Sequence, residues 1–354
     1  MLGGMTSRVS MSRGPARWAT RLTAVLTASA LSFSLSACGG DDKGAEKPAK
    51  KPDSQPIEGG TELAALWPLT GLPVKGEAPD RPVIVAKIDN TDKSKPQVGL
   101  GKADLITEQL VEGGITRLAV FYYSQLPNKT GPVRSMRATD IGIVKPAHGV
   151  VVASGGAPPT QRRFRAANLP YYTESSPGFY RETGRSALYS VMVNLPKLAK
   201  AVKNKAKVPA SYLPWGAESD FSGGQPATRI AATFSQRRTT QWRYQGGKYR
   251  MQNGYAAAGD QYAPDTVLAI RVRVKDAGYR DLAGSRVPES IYQGRGEMML
   301  FHKGQVVRGT WSKKTNQSAL QLSTAAGPIK VPAGHVFVEL VPTNKFGGRV
   351  AFQK

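Results

Sequence analysis

Cysteine is almost absent from this sequence of 354 residues. The single cysteine, Cys38, has no partner for an internal disulfide, and it excludes a zinc site built from cysteines. Histidine is nearly as scarce: His148, His302 and His335 stand far apart and match no HExxH or HxH spacing. The pattern indicates neither a metal site nor a serine–histidine–aspartate triad, so we expect no metal and no cofactor.

Long apolar runs are missing as well. Residues 1–37 carry four arginines and no acidic residue, and fourteen apolar or small residues run from Leu22 to Leu35. A basic start followed by a short apolar segment is typical of an export signal. Fourteen residues are too few to cross the roughly 30 Å of hydrocarbon in a bilayer.

The export signal ends in a recognisable cleavage site. Leu35, Ser36, Ala37 and Cys38 follow the order of the bacterial lipobox, in which the signal is cut off before a cysteine that is acylated on its thiol. The sequence thus predicts a signal peptide at 1–37, a palmitate-type anchor on Cys38 and a position on the extracytoplasmic face of the cell membrane. Residues 38–60 have the composition of a disordered tether.

Acidic residues are few relative to basic ones. The chain has 49 Lys and Arg against 25 Asp and Glu, a net charge of +24, and loss of the four signal arginines leaves 45 against 25, or +20. Such a charge draws a protein towards anionic surfaces. Outside a cell these are lipid head groups, wall polymers or peptidoglycan, and export makes nucleic acid an unexpected partner. Background composition is the alternative explanation.

The rest of the chain divides into two parts. We predict an α/β N-terminal domain at 61–221 and a smaller β-rich C-terminal domain at 222–354. In the first part, short runs rich in β-branched residues predict three strands, at 81–90, 115–123 and 149–153. Residues 102–112 fit either a helix or a strand.

The second part has strand patterns separated by glycine turns. Residues 266–274 alternate so that Arg271 and Arg273 share one face. A hairpin is predicted from Met298 to Trp311 around Gly304, and a last strand at 336–341. The aromatic and basic run at 240–250 suits either stacking on sugar rings or a hairpin with paired aromatics.

An arginine motif is the sharpest local feature. In the run GPVRSMRATD, Arg134 and Arg137 follow a Gly-Pro turn at three-residue spacing, and Asp140 comes three residues later. Two guanidiniums facing the same way would hold a carboxylate or phosphate. A structural ion pair between Arg137 and Asp140 is the alternative.

A glycine turn follows the third predicted strand. Gly155 and Gly156 precede a basic stretch, and such a turn at the start of a helix can present backbone N–H groups to an anion, with Thr160 as the helix N-cap. A tight structural turn explains the glycines equally well.

Three carboxylates are candidates for acid–base chemistry. Asp89, beside Asn90, ends the first strand, where it would contact a ligand or form an Asx turn. Glu108 and Glu112 stand four residues apart, as a catalytic pair or as a face neutralised by Arg117.

Several of these runs together resemble the YerB-like lipoprotein family. They are, in chain order, RPVIVAKIDN, KADLITEQLVEGGITR, GPVRSMRATD, YRETGR and GRGEMMLFHKGQVVRGTW. The resemblance implies a lipoprotein signal, a mixed α/β first domain and a smaller β-rich second one, both of unknown function. It implies no particular activity.

We predict a membrane-anchored lipoprotein that binds an anionic cell-envelope ligand, either a wall polymer, peptidoglycan or a phosphate-bearing group. Its predicted contacts are Arg134, Arg137, Arg181, Arg185, Gly155 and Gly156. One alternative is an enzyme that processes envelope glycan or peptide with Asp89, Glu108 or Glu112. The other is a scaffold for a partner protein.

Overall fold

The structure is a computed structural model that describes residues 65–203, 209–221 and 223–354. The predicted signal peptide, Cys38 and the tether lie outside the described residues. All described residues belong to one compact unit. None of the helices in the described part is long and apolar enough to cross a membrane.

The N-terminal half alternates short strands with three helices. Its elements are β1 (Ile84–Asn90), β2 (Leu105–Leu110), β3 (Thr116–Tyr122), α1 (Thr139–Val144), β4 (Val150–Val152), α2 (Pro158–Ala166), β5 (Tyr171–Tyr172), β6 (Phe179–Arg181), β7 (Val191–Val193), α3 (Leu195–Ala201), β8 (Trp215–Gly216) and β9 (Gln225–Pro226).

The C-terminal half consists of strands and turns. Its elements are β10 (Arg229–Ser235), β11 (Arg238–Gln245), β12 (Lys248–Met251), β13 (Thr266–Arg280), β14 (Arg286–Ile291), β15 (Gly294–His302), β16 (Gln305–Lys313), β17 (Gln321–Thr324), β18 (Gly327–Pro328), β19 (Val331–Pro332), β20 (Val336–Pro342) and β21 (Arg349–Gln353). The predicted mixed α/β class is confirmed, as are its N-terminal domain and its β-rich C-terminal domain.

One sheet of thirteen strands crosses both halves. Its main path runs β18-β17-β16-β15-β13-β20-β2-β3-β1-β4-β5, with β14 on β13 and β9 on β16. The halves join where β20 lies parallel to both β13 and β2. The large sheet therefore contains strands from both sides of the predicted domain boundary between residues 221 and 222.

The large sheet is covered on both faces. Along β1, Val85 packs with α1 and α2 on one face, whereas Ile84 and Ala86 pack on the other face with α3 and with the small sheet β12-β11-β10-β21. Because successive strand residues point to opposite faces, β1 reads as a continuous apolar run. This explains why the three predicted N-terminal strands are found as β1, β3 and β4.

The open prediction for residues 102–112 resolves as strand β2. All six of its residues are buried between β3 and β20. The N-cap prediction for Thr160 is wrong, because Ala157 occupies that position in α2. The Thr160 hydroxyl instead lies 2.7 Å from the Tyr279 hydroxyl.

Both hairpins foreseen in the C-terminal half are present. β15 and β16 are joined by Lys303 and Gly304, whose positive φ angles of 47° and 70° suit a tight two-residue turn. β11 and β12 bring Tyr244 opposite Tyr249, with ring centroids 5.2 Å apart. The paired-aromatic explanation for residues 240–250 is therefore confirmed.

Candidate functional site: a buried arginine cluster

The last residues of β1 point alternately to the two faces of the sheet. Lys87 and Asp89 share one face, and Asn90 lies on the other. The segment after Gly131 runs beside the end of β1: the Asp89 N–H donates to the Pro132 carbonyl, and the Arg134 N–H donates to the Lys87 carbonyl at 2.8 Å. This backbone pairing places the arginine motif over the first face.

Seven charged residues gather there. We call them the arginine cluster: Lys87, Asp89, Glu112, Arg117, Arg134, Arg137 and Asp140. Arg134 Nε lies 3.3 Å from Asp89 Oδ2. Asp89 also accepts from the Thr91 N–H at 3.0 Å, which is the Asx turn that the sequence allowed.

Glu112 binds two of the arginines. Its carboxylate accepts from Arg137 Nε at 2.8 Å and from Arg117 Nη2 at 3.2 Å. Burial disfavours the charged form of Glu112, but the positive charges of Arg117 and Arg137 outweigh it and lower its pKa to about 2. The predicted neutralisation of Glu112 by Arg117 is confirmed, and Glu112 is held ionised.

Asp140 anchors the cluster from the first turn of α1. Its carboxylate lies 2.7 Å from Lys87 Nζ, and both side chains are fully buried. It also accepts from the Arg137 N–H at 2.7 Å and from Gln109 Nε2 at 2.5 Å. The predicted ion pair between Arg137 and Asp140 is therefore wrong: Asp140 pairs with Lys87 and accepts only from the Arg137 backbone, while the Arg137 guanidinium pairs with Glu112.

Arg134 is the most exposed cation of the cluster, with 20% of its side chain accessible. Its guanidinium donates to the Leu188 carbonyl and lies 5.1 Å from the centre of the Tyr189 ring. Arg181 contacts the same segment, residues 187–189, because its Nη1 donates to the Ala187 carbonyl at 2.7 Å. The structure therefore brings Arg134 and Arg181 to one short segment.

Arg185 takes a different direction. Its guanidinium donates to the carbonyls of Ser94, at 3.2 Å, and Pro96, at 2.7 Å, and pairs with Glu182. It fastens the 94–96 loop to the 182–185 turn. No contact in the described residues joins Arg185 to the arginine cluster.

The glycine turn packs directly against the arginine motif. The Met136 N–H donates to the Gly155 carbonyl at 3.0 Å, and a side chain at position 156 would lie 2.8 Å from Met136 Cε. The first two residues of α2 are Pro158 and Pro159, which have no N–H to offer an anion. Gly155 and Gly156 therefore stay proposed contacts for an anion, but the start of α2 offers fewer backbone N–H donors than the sequence suggested.

Glu108 belongs to a separate polar group on the opposite face. It accepts from Asn90 Nδ2 at 2.9 Å and Thr240 Oγ1 at 2.8 Å, and lies 3.2 Å from Arg238 Nε. Glu112 shares none of these partners. Glu112 lies beyond the end of β2, in the 112–114 turn, and its carboxylate faces Arg117 and Arg137. The structure therefore does not bring Glu108 and Glu112 together, and the catalytic-pair prediction is wrong.

The true neighbour of Glu108 is Glu339, its register partner on β20. Burial, and then the charge of Glu108, raises the pKa of Glu339 well above its ordinary value. Trp242 Nε1 donates to Glu339 Oε1 at 2.8 Å. Two carboxyls buried side by side are tolerated because one of them keeps its proton.

Sequence reasoning missed Lys87 and Glu339 as polar partners, and it placed Arg117 only beside Glu112. Each missed residue is a lone charge within an apolar strand, in VIVAKI and VFVELV. That pattern signals a buried charge that must find a partner, but it does not name the partner. Within the described residues, no three His, Cys, Asp or Glu side chains gather as a metal site would require.

Comparison with known families follows the two halves of the fold. A model described as the N-terminal domain of a protein of unknown function (DUF3048) matches residues 69–208, and the model of its C-terminal domain matches residues 230–338. The chain belongs to this family by both domains. The resemblance found in the sequence is confirmed.

Two comparisons with individual proteins agree with the family. A protein of Bacillus subtilis (strain 168), named "Putative lipoprotein YerB", is 34% identical over 104 residues, or 29% of this chain and 31% of that protein. The crystal structure of YerB protein from Bacillus subtilis matches with a TM-score of 0.68 at 20% identity, covering 81% of this chain and 99% of that one. The structural likeness shows a shared fold.

Proposed function

We propose that the protein is a lipoprotein anchored through Cys38 on the extracytoplasmic face of the membrane, where it binds an anionic group of the cell envelope at the arginine cluster. The name of the Bacillus subtilis relative supports the anchor. The lipobox order at Leu35–Cys38 supports it independently.

The charge balance of the cluster carries the proposal for binding. Four cations, Lys87, Arg117, Arg134 and Arg137, face three carboxylates, Asp89, Glu112 and Asp140. One positive charge is left over, and Arg134 stands at the accessible edge. A phosphate or carboxylate beside Arg134 would complete the balance, with the guanidinium fork matching its two oxygens.

Two of the three alternative catalytic carboxyls, Asp89 and Glu112, share the arginine cluster, but both are ion-paired there, and Glu108 lies apart from them. Glu108 is enclosed under the small sheet, Glu112 is paired with Arg117 and Arg137, and Asp89 is paired with Arg134. Acid–base catalysis by two carboxylates requires different pKa values within one accessible site. This geometry favours binding over catalysis. Docking of a partner protein remains the other alternative, which high salt would weaken if charge alone drove it.

The test is co-sedimentation of the chain from residue 39 onward with purified peptidoglycan sacculi, either carrying their phosphate polymers or stripped of them. Arg134→Gln with Arg181→Gln removes the two accessible guanidiniums and leaves the buried Arg137 in place. We expect at least tenfold weaker retention than the unsubstituted chain shows.

The matched control is Arg243→Gln with Arg349→Gln, which removes the same charge from exposed positions on the small sheet. Equal retention of both double variants would overturn the site. Loss on stripped sacculi would identify a phosphate polymer as the ligand, and unchanged binding would identify peptidoglycan. For the anchor, metabolic labelling with palmitate should mark the unsubstituted chain and leave Cys38→Ala unlabelled.

A further inference from the structure

A second cationic feature lies in the C-terminal half, away from the arginine cluster. Three depressions of about 370, 590 and 550 Å³ adjoin, because Ile291 and Gln293 line all of them. We call this continuous depression the β13 groove. It extends from Asn344 at one end to α2 at the other.

The groove arises where β14 and β15 part from a common partner. β15 pairs with β13 as far as Ile270, and β14 pairs with it from Arg273 onward. Between these two registers the chain leaves the edge of β13 over residues 292–293. Arg271 and Arg273, which alternate on one face of β13, line the depression so formed.

Arg271 carries an unused donor. The residue is 7% exposed, and its Nη2 donates to Asn344 Oδ1 at 2.5 Å and to the Gly348 carbonyl at 3.0 Å. Its Nη1 has no hydrogen-bond partner in the described part of the chain. Buried polar atoms are nearly always satisfied, and Arg271 lines the groove, so a ligand acceptor that reached Arg271 would satisfy this enclosed N–H.

Further cations stand above Arg271. Arg273, Arg295 and Lys314 are exposed and line the groove, and within the described ranges none of their side chains has a carboxylate or hydrogen-bond partner. By contrast, Glu289 is already engaged, with Arg163 Nη1 at 2.7 Å and Lys275 Nζ at 3.4 Å. Only Glu297 adds a free acidic charge to the lining. The groove is therefore strongly positive along its length.

The shape and the charge together define the ligand. A single small anion would fill one depression, whereas three in a row suit an extended chain. Guanidiniums recognise phosphate and carboxylate by the same forked geometry. We propose that the β13 groove binds a linear polyanion, whose repeating phosphate or carboxylate groups pair with Arg271, Arg273 and Arg295. The proposal rests on this groove alone and stands even if the arginine cluster binds nothing.

The experiment measures binding of the chain from residue 39 onward to fluorescent inorganic polyphosphate and to fluorescent poly-glutamate, over a range of salt concentrations. Arg273→Gln with Arg295→Gln should weaken binding at least tenfold. It should also reduce the slope of log affinity against log salt by about 2, one for each lost anion contact.

Two matched variants separate the sites. Arg243→Gln with Arg349→Gln removes equal charge from the small sheet, and Arg134→Gln with Arg181→Gln removes it beside the arginine cluster. Both should keep the affinity and salt slope of the unsubstituted chain. Binding of one polymer and not the other would assign phosphate or carboxylate as the repeating group.

Two outcomes overturn polyanion binding by the groove directly, and a third does so by placing the polyanion elsewhere. One is the absence of binding to both polymers at low salt. The other is an equal loss of affinity in the groove variant and in the small-sheet control, which would assign the attraction to net charge. A loss confined to the Arg134 and Arg181 variant would likewise place the polyanion at the arginine cluster and leave the groove empty.

Discussion

The two cationic regions of this protein hold their charges in opposite ways. In the arginine cluster, Lys87, Arg117 and Arg137 are buried, and each of them is paired with a carboxylate. In the β13 groove, Arg273 and Arg295 stand exposed without such partners in the described residues. Buried ion pairs are costly to break, whereas exposed unpaired charges are free to meet a ligand.

Burial and pairing distinguish the cations that stabilise the fold from those that are free to bind. Positive charges that are enclosed and paired hold β1, β2, β3 and the α1 turn in register. Exposed and unpaired positive charges add little to the stability of the fold, but they attract anionic ligands.

Removing the carboxylate of Asp140 should have the largest effect. Asp140→Ala leaves Lys87 buried without its partner, and breaking a buried pair in this way costs about 3–5 kcal/mol of the free energy of unfolding. Urea unfolding monitored by tryptophan fluorescence measures the loss. The exposed Asp92→Ala is the control, and a loss below about 1 kcal/mol in Asp140→Ala would show that the pair does not support the fold.

Glu112→Gln should cost about 3 kcal/mol at pH 7, which is the free-energy equivalent of a pKa lowered from 4.5 to about 2. Because the folded pKa lies below the unfolded one, this stability is present above about pH 4.5 and disappears as the pH falls through about 2. Unfolding curves at pH 7, 4 and 2 should therefore converge for the two proteins. Exposed Glu77→Gln should show no such convergence.

Lys313, which lines the groove, tests a pH dependence of the same sign at higher pH. It donates to the carbonyls of Gly142, Thr315 and Asn316, and burial lowers its pKa to about 7. The folded state then binds fewer protons than the unfolded state between about pH 7 and 10.5, so stability rises with pH there, by up to about 1.4 kcal/mol per unit. Lys313→Met should remove that rise, measured by unfolding at pH 7 and 9. An unchanged slope would contradict the assignment.

Arg273→Gln with Arg295→Gln should change stability least, by less than about 0.5 kcal/mol, since exposed substitutions away from structural contacts are nearly neutral. Thermal unfolding of this variant beside Asp140→Ala measures the contrast directly. A loss above about 2 kcal/mol would mean that the groove arginines are structural after all.

The sequence predicted the strands better than the site. Buried runs such as VIVA in β1 and VVV in β4 are readable because β-branched residues enclosed on both faces leave a continuous apolar signal. Position 108 shows where such reading stops. Its spacing from Glu112 suggested a catalytic pair, but three of its real partners, Arg238, Thr240 and Glu339, lie more than a hundred residues away.

The arginine motif shows the same limit. Its two arginines do lie in one cluster, as their spacing suggested. Their carboxylate partners come from β1 and from the 112–114 turn. The motif alone does not predict either contact. Long-range strand pairing brings those partners together, and a local sequence pattern does not predict that pairing.

The parallel pairing of β2 with β20 also has a consequence for biogenesis. β2 ends at Leu110 and β20 begins at Val336, so more than two hundred residues must be synthesised before β2 gains its second neighbour. Until then β2 presents an open row of N–H and C=O groups, which readily pairs with other chains. A nascent chain stalled before Val336, or an N-terminal domain produced alone, would expose an unpaired, aggregation-prone edge of β2. In the complete fold, β20 covers this edge.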